Sequence, residues 1–159
     1  MQEKDLLNRA ALPDASTRPS RLSLFVHVLV IGALALSFVS GVLLWYGQYI
    51  AIEGAFGSPP WLHKWRVLHG ALNPLLCAIF GYLCARHIRY GWALRANWAS
   101  GLAMEAAFLI LIVSSLGLYY ADDGGFRDAC LNVHRVLGAA LPLVLTVHWI
   151  AARQWIKKI

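Results

Sequence analysis

Residues 22–46, LSLFVHVLVIGALALSFVSGVLLWY, run for 25 positions without a formal charge and decide how the rest of the chain is read. A helix that crosses a bilayer needs about 20 apolar residues. A lone strand would leave its backbone N–H and C=O groups unpaired in lipid, so the segment is read as helical. Three more blocks follow it. Residues 67–85 carry no charge, residues 96–120 carry only Glu105, and residues 136–152 are uncharged directly after Arg135. The expectation is an all-α fold, a transmembrane four-helix bundle over residues 22–159, preceded by a polar segment over residues 1–21. Composition agrees: 59% of residues are hydrophobic and 14% charged, where about a quarter is usual for a soluble domain. The first block is too long for the apolar core of a signal peptide and has no small-x-small site after it, so it is expected to stay as a helix.

The basic residues orient the bundle. With both termini on one side, that side receives Lys4, Arg9, Arg18, Arg21, Arg86, Arg89, Arg95, Arg153, Lys157 and Lys158. The other receives Lys64, Arg66, Arg127 and Arg135, offset by Glu53, Asp122, Asp123 and Asp128. The excess places both termini in the cytoplasm. Trp45, Tyr46, Trp61, Trp65, Tyr119 and Tyr120 then mark the outer interface, and Trp92, Trp98 and Trp155 the inner one. The net charge of +6 is thereby explained by topology, and no nucleic-acid partner is implied. Two outer segments, 47–60 and 121–129, are too short to be domains, so any catalytic head belongs to another chain.

Several chemistries find no motif. The chain has no CxxC or CxxCH, no GxGxxG, no P-loop and no internal repeat, and Cys77, Cys84 and Cys130 form no disulfide framework. What remains is six histidines in a very apolar chain. An ionisable side chain inside a span is costly and is a functional candidate by default. His69 and His134 fall near the outer side, His27 and His148 near the inner side. His134 and His148 are 14 residues apart, so one helix returns them to within about 40° of the same face, about 21 Å apart along its axis. One span thus offers two imidazoles at two depths, and the first and second spans each supply one partner. A single membrane histidine serves as readily in a helix–helix hydrogen bond; four that sort by depth into two pairs suit two haem b groups. Two imidazoles close the coordination of an iron and favour electron transfer over oxygen activation.

Other residues fit the same plan. Gly41 lies at about the level of the outer pair, and Gly138 lies one turn below His134. Arg135, Arg66 and Lys64 are placed to meet outer propionates, and Arg21 and Arg153 inner ones, unless they only snorkel to the interface. His63 and His87 sit at the interfaces, where histidine costs little, and read as structural. His87, 18 residues after His69 on one helix face, is the reserve partner for His148 in place of His27. Glu105 is the only carboxylate inside a span, near the depth of His27 and His148. It suits a proton relay to a quinone beside the inner haem, or a hydrogen bond to Ser or Asn within the bundle. Tyr90, Trp92 and Asn97 are candidates for the same pocket. Asn73-Pro74 and Pro142 are read as shaping kinks.

The stretches Arg21-Leu-Ser-Leu-Phe-Val-His27, Leu68-His69-Gly70, His134-Arg135-Val-Leu-Gly138 and His148-Trp149 together resemble the bacterial di-haem cytochrome b family. That family includes the membrane subunits of periplasmic formate dehydrogenase and nickel-iron hydrogenase, and small stand-alone quinone-linked cytochromes. The resemblance covers nearly the whole chain from Arg21. It departs where an aromatic often follows the first histidine, here Val28, and the chain is short for an anchor subunit. It implies His69 and His134 on the outer haem iron, His27 and His148 on the inner one, a quinone as mobile substrate near the inner haem, and the bacterial inner membrane as location. The expected function is a di-haem subunit carrying electrons between an outer-face oxidoreductase partner and the quinone pool. One alternative is a stand-alone superoxide- or small-donor:quinone oxidoreductase. Its outer positive patch is neutralised by Glu53, Asp122, Asp123 and Asp128. A second alternative is a haem-free transporter or assembly subunit.

Overall fold

The computed structural model describes residues 23–53, 59–94, 97–122 and 124–156. The N-terminal segment with Arg21, residues 54–58, residues 95–96 with Arg95, Asp123, the side chain of Trp155 and the last three residues lie outside that description. Regular structure among the described residues is helical: α1 (Leu24–Glu53), α2 (Pro60–Leu83), a π-helical turn (Cys84–Ile88), α3 (Arg89–Leu94), α4 (Trp98–Tyr120) and α5 (Gly125–Ile156). Four helical stretches, Leu24–Ala51, Pro60–Ala93, Trp98–Tyr120 and Gly125–Gln154, are long and apolar enough to cross a membrane. The second of them is α2, the π turn and α3 read as one rod.

Local chemistry sets the ends. Pro60 opens α2, where its missing N–H costs nothing. Asn97 precedes α4 with φ 49°, in the left-handed region that asparagine tolerates. Asp128 stands in the first turn of α5 and Arg153 in its last, each matching the helix dipole. Three helices outrun the sequence expectation: the second apolar block, 67–85, lies within the rod Pro60–Ala93. Residues 47–53, read as the start of an outer segment, continue α1. Residues 125–129 belong to α5, so His134 stands more than two turns inside its helix instead of just below its start. Hydropathy marks only the part of a helix that faces lipid, whereas the backbone ladder runs on through polar residues such as Arg127 and Asn132.

The helices pack as two hairpins, α1 on α2 and α4 on α5, with contacts between hairpins much sparser than within each. Within the second hairpin the approach is close: a Cβ added at Gly117 would collide with the Sγ of the buried Cys130. Small residues at such crossings let helix backbones approach when no hydrophobic effect drives them together. Between hairpins, α2 and α4 meet through the Asn73 amide, which donates to the Ser115 hydroxyl at 3.3 Å. The stacked rings of Phe80 and Phe108, 5.4 Å apart between centroids, bridge the same helices. The outward faces are apolar, with Val113, Val136 and Leu143 about two-thirds exposed, as expected of surfaces that contact lipid tails. Among the described residues every buried side-chain polar atom has a hydrogen-bond partner.

Candidate functional site

Two histidine pairs bridge the hairpins. The rings of His69 on α2 and His134 on α5 have centroids 6.1 Å apart and stand edge to face at 85°. The rings of His87, in the π turn, and His148 on α5 repeat the arrangement at 6.3 Å and 81°. In each pair one imidazole comes from the first hairpin and the other from the second.

Depth alone paired His148 with His27. In the structure the ring that meets His148 is His87, while His27 is exposed on α1 with its Nδ1 3.3 Å from the Ser23 carbonyl oxygen. His87, 18 residues after His69 on one helix face, stands in the π turn Cys84–Ile88, a wider turn than the α-helix. Local π turns of this kind are frequent at functional sites.

Hydrogen bonds hold three of the four paired rings. His69 Nδ1 is 2.9 Å from Ser40 Oγ, His134 Nδ1 is 3.0 Å from Ser114 Oγ, and His148 Nδ1 is 3.1 Å from Ser100 Oγ. Each serine lies on the other helix of that histidine's own hairpin. The His148 backbone carbonyl also accepts from the Asn97 amide at 3.2 Å, tying the start of α4 to α5 at this level. None of the three serines stood out in the sequence. A serine in an apolar span reads as tolerated filler until its neighbour is known.

The glycines and arginines take different places. A Cβ added at Gly41 would sit 3.2 Å from His69 Cε1, so α1 presses directly on that ring. Gly138, one turn along α5 from His134, has open space where a Cβ would go. Arg135 donates to Gln48 Oε1, and its guanidinium lies 5.6 Å from the Trp45 ring centroid. It thus pins α5 to α1 near the His69–His134 pair. Arg66 and Lys64 are exposed on α2. Arg153 stacks on Trp149 at 3.7 Å, a cation–π contact at the other end. Glu105 is partly buried on α4 and accepts a hydrogen bond from the Trp92 indole at 3.3 Å. Of the residues expected around Glu105, Trp92 meets it, where the hydrogen-bonding alternative names Ser or Asn.

Among the described residues no group of three or more His, Cys, Asp or Glu side chains is arranged to hold a metal ion. Cys77, Cys84 and Cys130 are free. No protein-family model, curated protein or solved structure matches the chain.

Proposed function

We propose that the chain is a di-haem cytochrome b of the membrane, with both termini in the cytoplasm, that carries electrons between an oxidoreductase at the outer face and the quinone pool. One observation carries this reading: two histidine pairs, at two levels of the bundle, have ring centroids 6.1 and 6.3 Å apart. A metal-bound imidazole nitrogen sits about 2 Å from its ion, so two imidazoles sharing one ion would have ring centroids no more than roughly 6 Å apart. Two donors are too few for the four ligands of a structural zinc site but are the number a porphyrin iron leaves to the protein. The sparse packing between hairpins and the open space at Gly138 suit a flat macrocycle between α2 and α5. Bound there, haem b supplies a one-electron iron couple at each level.

His69 and His134 hold the outer iron, with Gly41 leaving room behind His69. The inner iron takes His148 and one histidine of the first hairpin. Observed ring geometry favours His87, whereas depth and the family resemblance favour His27. Alanine at each position decides between them. On the geometry, His87→Ala removes the inner haem spectrum and His27→Ala retains it; the opposite result returns the ligand to His27. If both variants keep two haems, the inner site itself is wrong.

Glu105, with its carboxylate on the Trp92 indole at the inner level, is assigned to proton exchange with a quinone. A carboxylate inside a span is costly to retain without such a role. Glu105→Gln in lipid vesicles is expected to keep both haem spectra while slowing reoxidation of the reduced protein by added quinone about tenfold or more. An unchanged rate would remove Glu105 from the proton path. The same assay on the unaltered chain tests the function: reduced haem that is not reoxidised by quinone would contradict the quinone link.

A further inference from the structure

The serines that hold the imidazoles have a chemistry of their own. A serine hydroxyl carries one hydrogen and two acceptor lone pairs. Ser40 Oγ donates to the Ser37 carbonyl at 2.9 Å, Ser114 Oγ to the Leu111 carbonyl at 3.1 Å, and Ser100 Oγ to the Asn97 carbonyl at 3.3 Å. With its proton so engaged, each hydroxyl is left to accept, and the group that faces it is the histidine Nδ1. An accepting hydroxyl calls for a proton on the facing Nδ1, which leaves Nε2 as the bare lone pair of the neutral ring. A hydroxyl that is already donating is also a better acceptor, because linked hydrogen bonds polarise one another.

The same step recurs in the sequence. Ser40-Gly41 on α1 and Ser100-Gly101 on α4 are identical dipeptides, and each meets one imidazole in the same way. The serine takes Nδ1, and the glycine faces the adjacent carbon. A Cβ at Gly41 would lie 3.2 Å from His69 Cε1, and one at Gly101 would lie 3.9 Å from His148 Cε1. Ser114 does the same for His134 without a following glycine; Ser115 turns instead to Asn73.

We propose that Ser40, Ser114 and Ser100 are positioning residues that fix His69, His134 and His148 as Nδ1–H tautomers and, by drawing on that proton, make each Nε2 a more electron-rich ligand. The tautomer part stands on the hydrogen bonds alone; the ligand part rests on the di-haem reading. A hydrogen bond from the outer ring nitrogen of a metal-bound histidine raises its basicity, and a more basic ligand favours the oxidised iron. Each serine therefore lowers the midpoint potential of its own haem.

The test has two arms. In the first, redox titration follows Ser40→Ala, Ser114→Ala, Ser100→Ala and the control Ser115→Ala. The first two are expected to raise the potential of the outer haem only, and Ser100→Ala that of the inner haem only. Ser115→Ala should move neither, and threonine in place of alanine should restore the original values. Two haems with unchanged potentials in all three variants would overturn the ligand part while the di-haem reading stands. The second arm needs no haem: side-chain nitrogen-15 NMR of the haem-free chain in detergent micelles. It is expected to show His69, His134 and His148 as Nδ1–H tautomers, with the Nε2–H form appearing when the matching serine is removed. Mixed tautomers in the unaltered chain would overturn the proposal. Absence of haem from the purified protein would instead sink the di-haem reading and leave the tautomer result intact.

Discussion

Replacing His134 with alanine is expected to remove the outer haem and keep the inner one, so that bound haem falls by half. Haem b has no covalent tether, and its hold depends on axial bonds and the apolar slot. On the di-haem proposal His134 would supply one of the two protein ligands at this level; its ring is held by Ser114 and faces His69 across the hairpins. Alanine would leave His69 as the single protein ligand at that level, too weak a hold for a group with no covalent tether. His148 lies about 21 Å further along α5, too far to be disturbed by one side chain. The measurement is haem per chain together with the reduced-minus-oxidised spectrum. Loss of both haems would mean that the bundle itself depends on the outer group. Retention of both would exclude His134 as a ligand.

The second large effect concerns the protein without regard to any cofactor. Gly117→Ala is expected to destabilise the α4–α5 hairpin by about 1–3 kcal/mol, the usual cost of forcing an extra carbon into a packed interior. The added Cβ would meet Cys130 Sγ, a side chain that is itself buried. Cys130→Ala removes that sulfur, and the double variant should recover most of the loss. Unfolding of the detergent-solubilised protein by a denaturing surfactant gives the three values. A single variant as stable as the original would show that the crossing is looser than the geometry states.

Much of this was legible in the chain. The four apolar blocks announce four helices because a lipid-facing helix must be apolar along its whole crossing, and the described residues form four such helices. The juxtaposition of His69 with His134 also follows from simple depth, since each lies near the same ends of its helix. Depth ranked His27 above His87 as the partner of His148, although the 18-residue spacing from His69 already put His87 on the same helix face; the ring contact is made by His87, in the π turn Cys84–Ile88. Sequence does not distinguish Ser114, which holds a histidine, from Ser115, which holds an asparagine; one residue of helix rotation separates the roles. Trp92 reached Glu105 because α3 continues the rod of α2 past the apolar block, where hydropathy had stopped counting. For the serines the hidden part was a side-chain direction; for Trp92 it was the length of the helix.

The central claim is that the paired imidazoles hold two haems of b type, and the most direct test is to count them. A pyridine haemochrome assay on the purified chain, set against protein measured by amino-acid analysis, should return two b haems per chain. No haem, or a single haem that survives alanine at either His134 or His148, would contradict it.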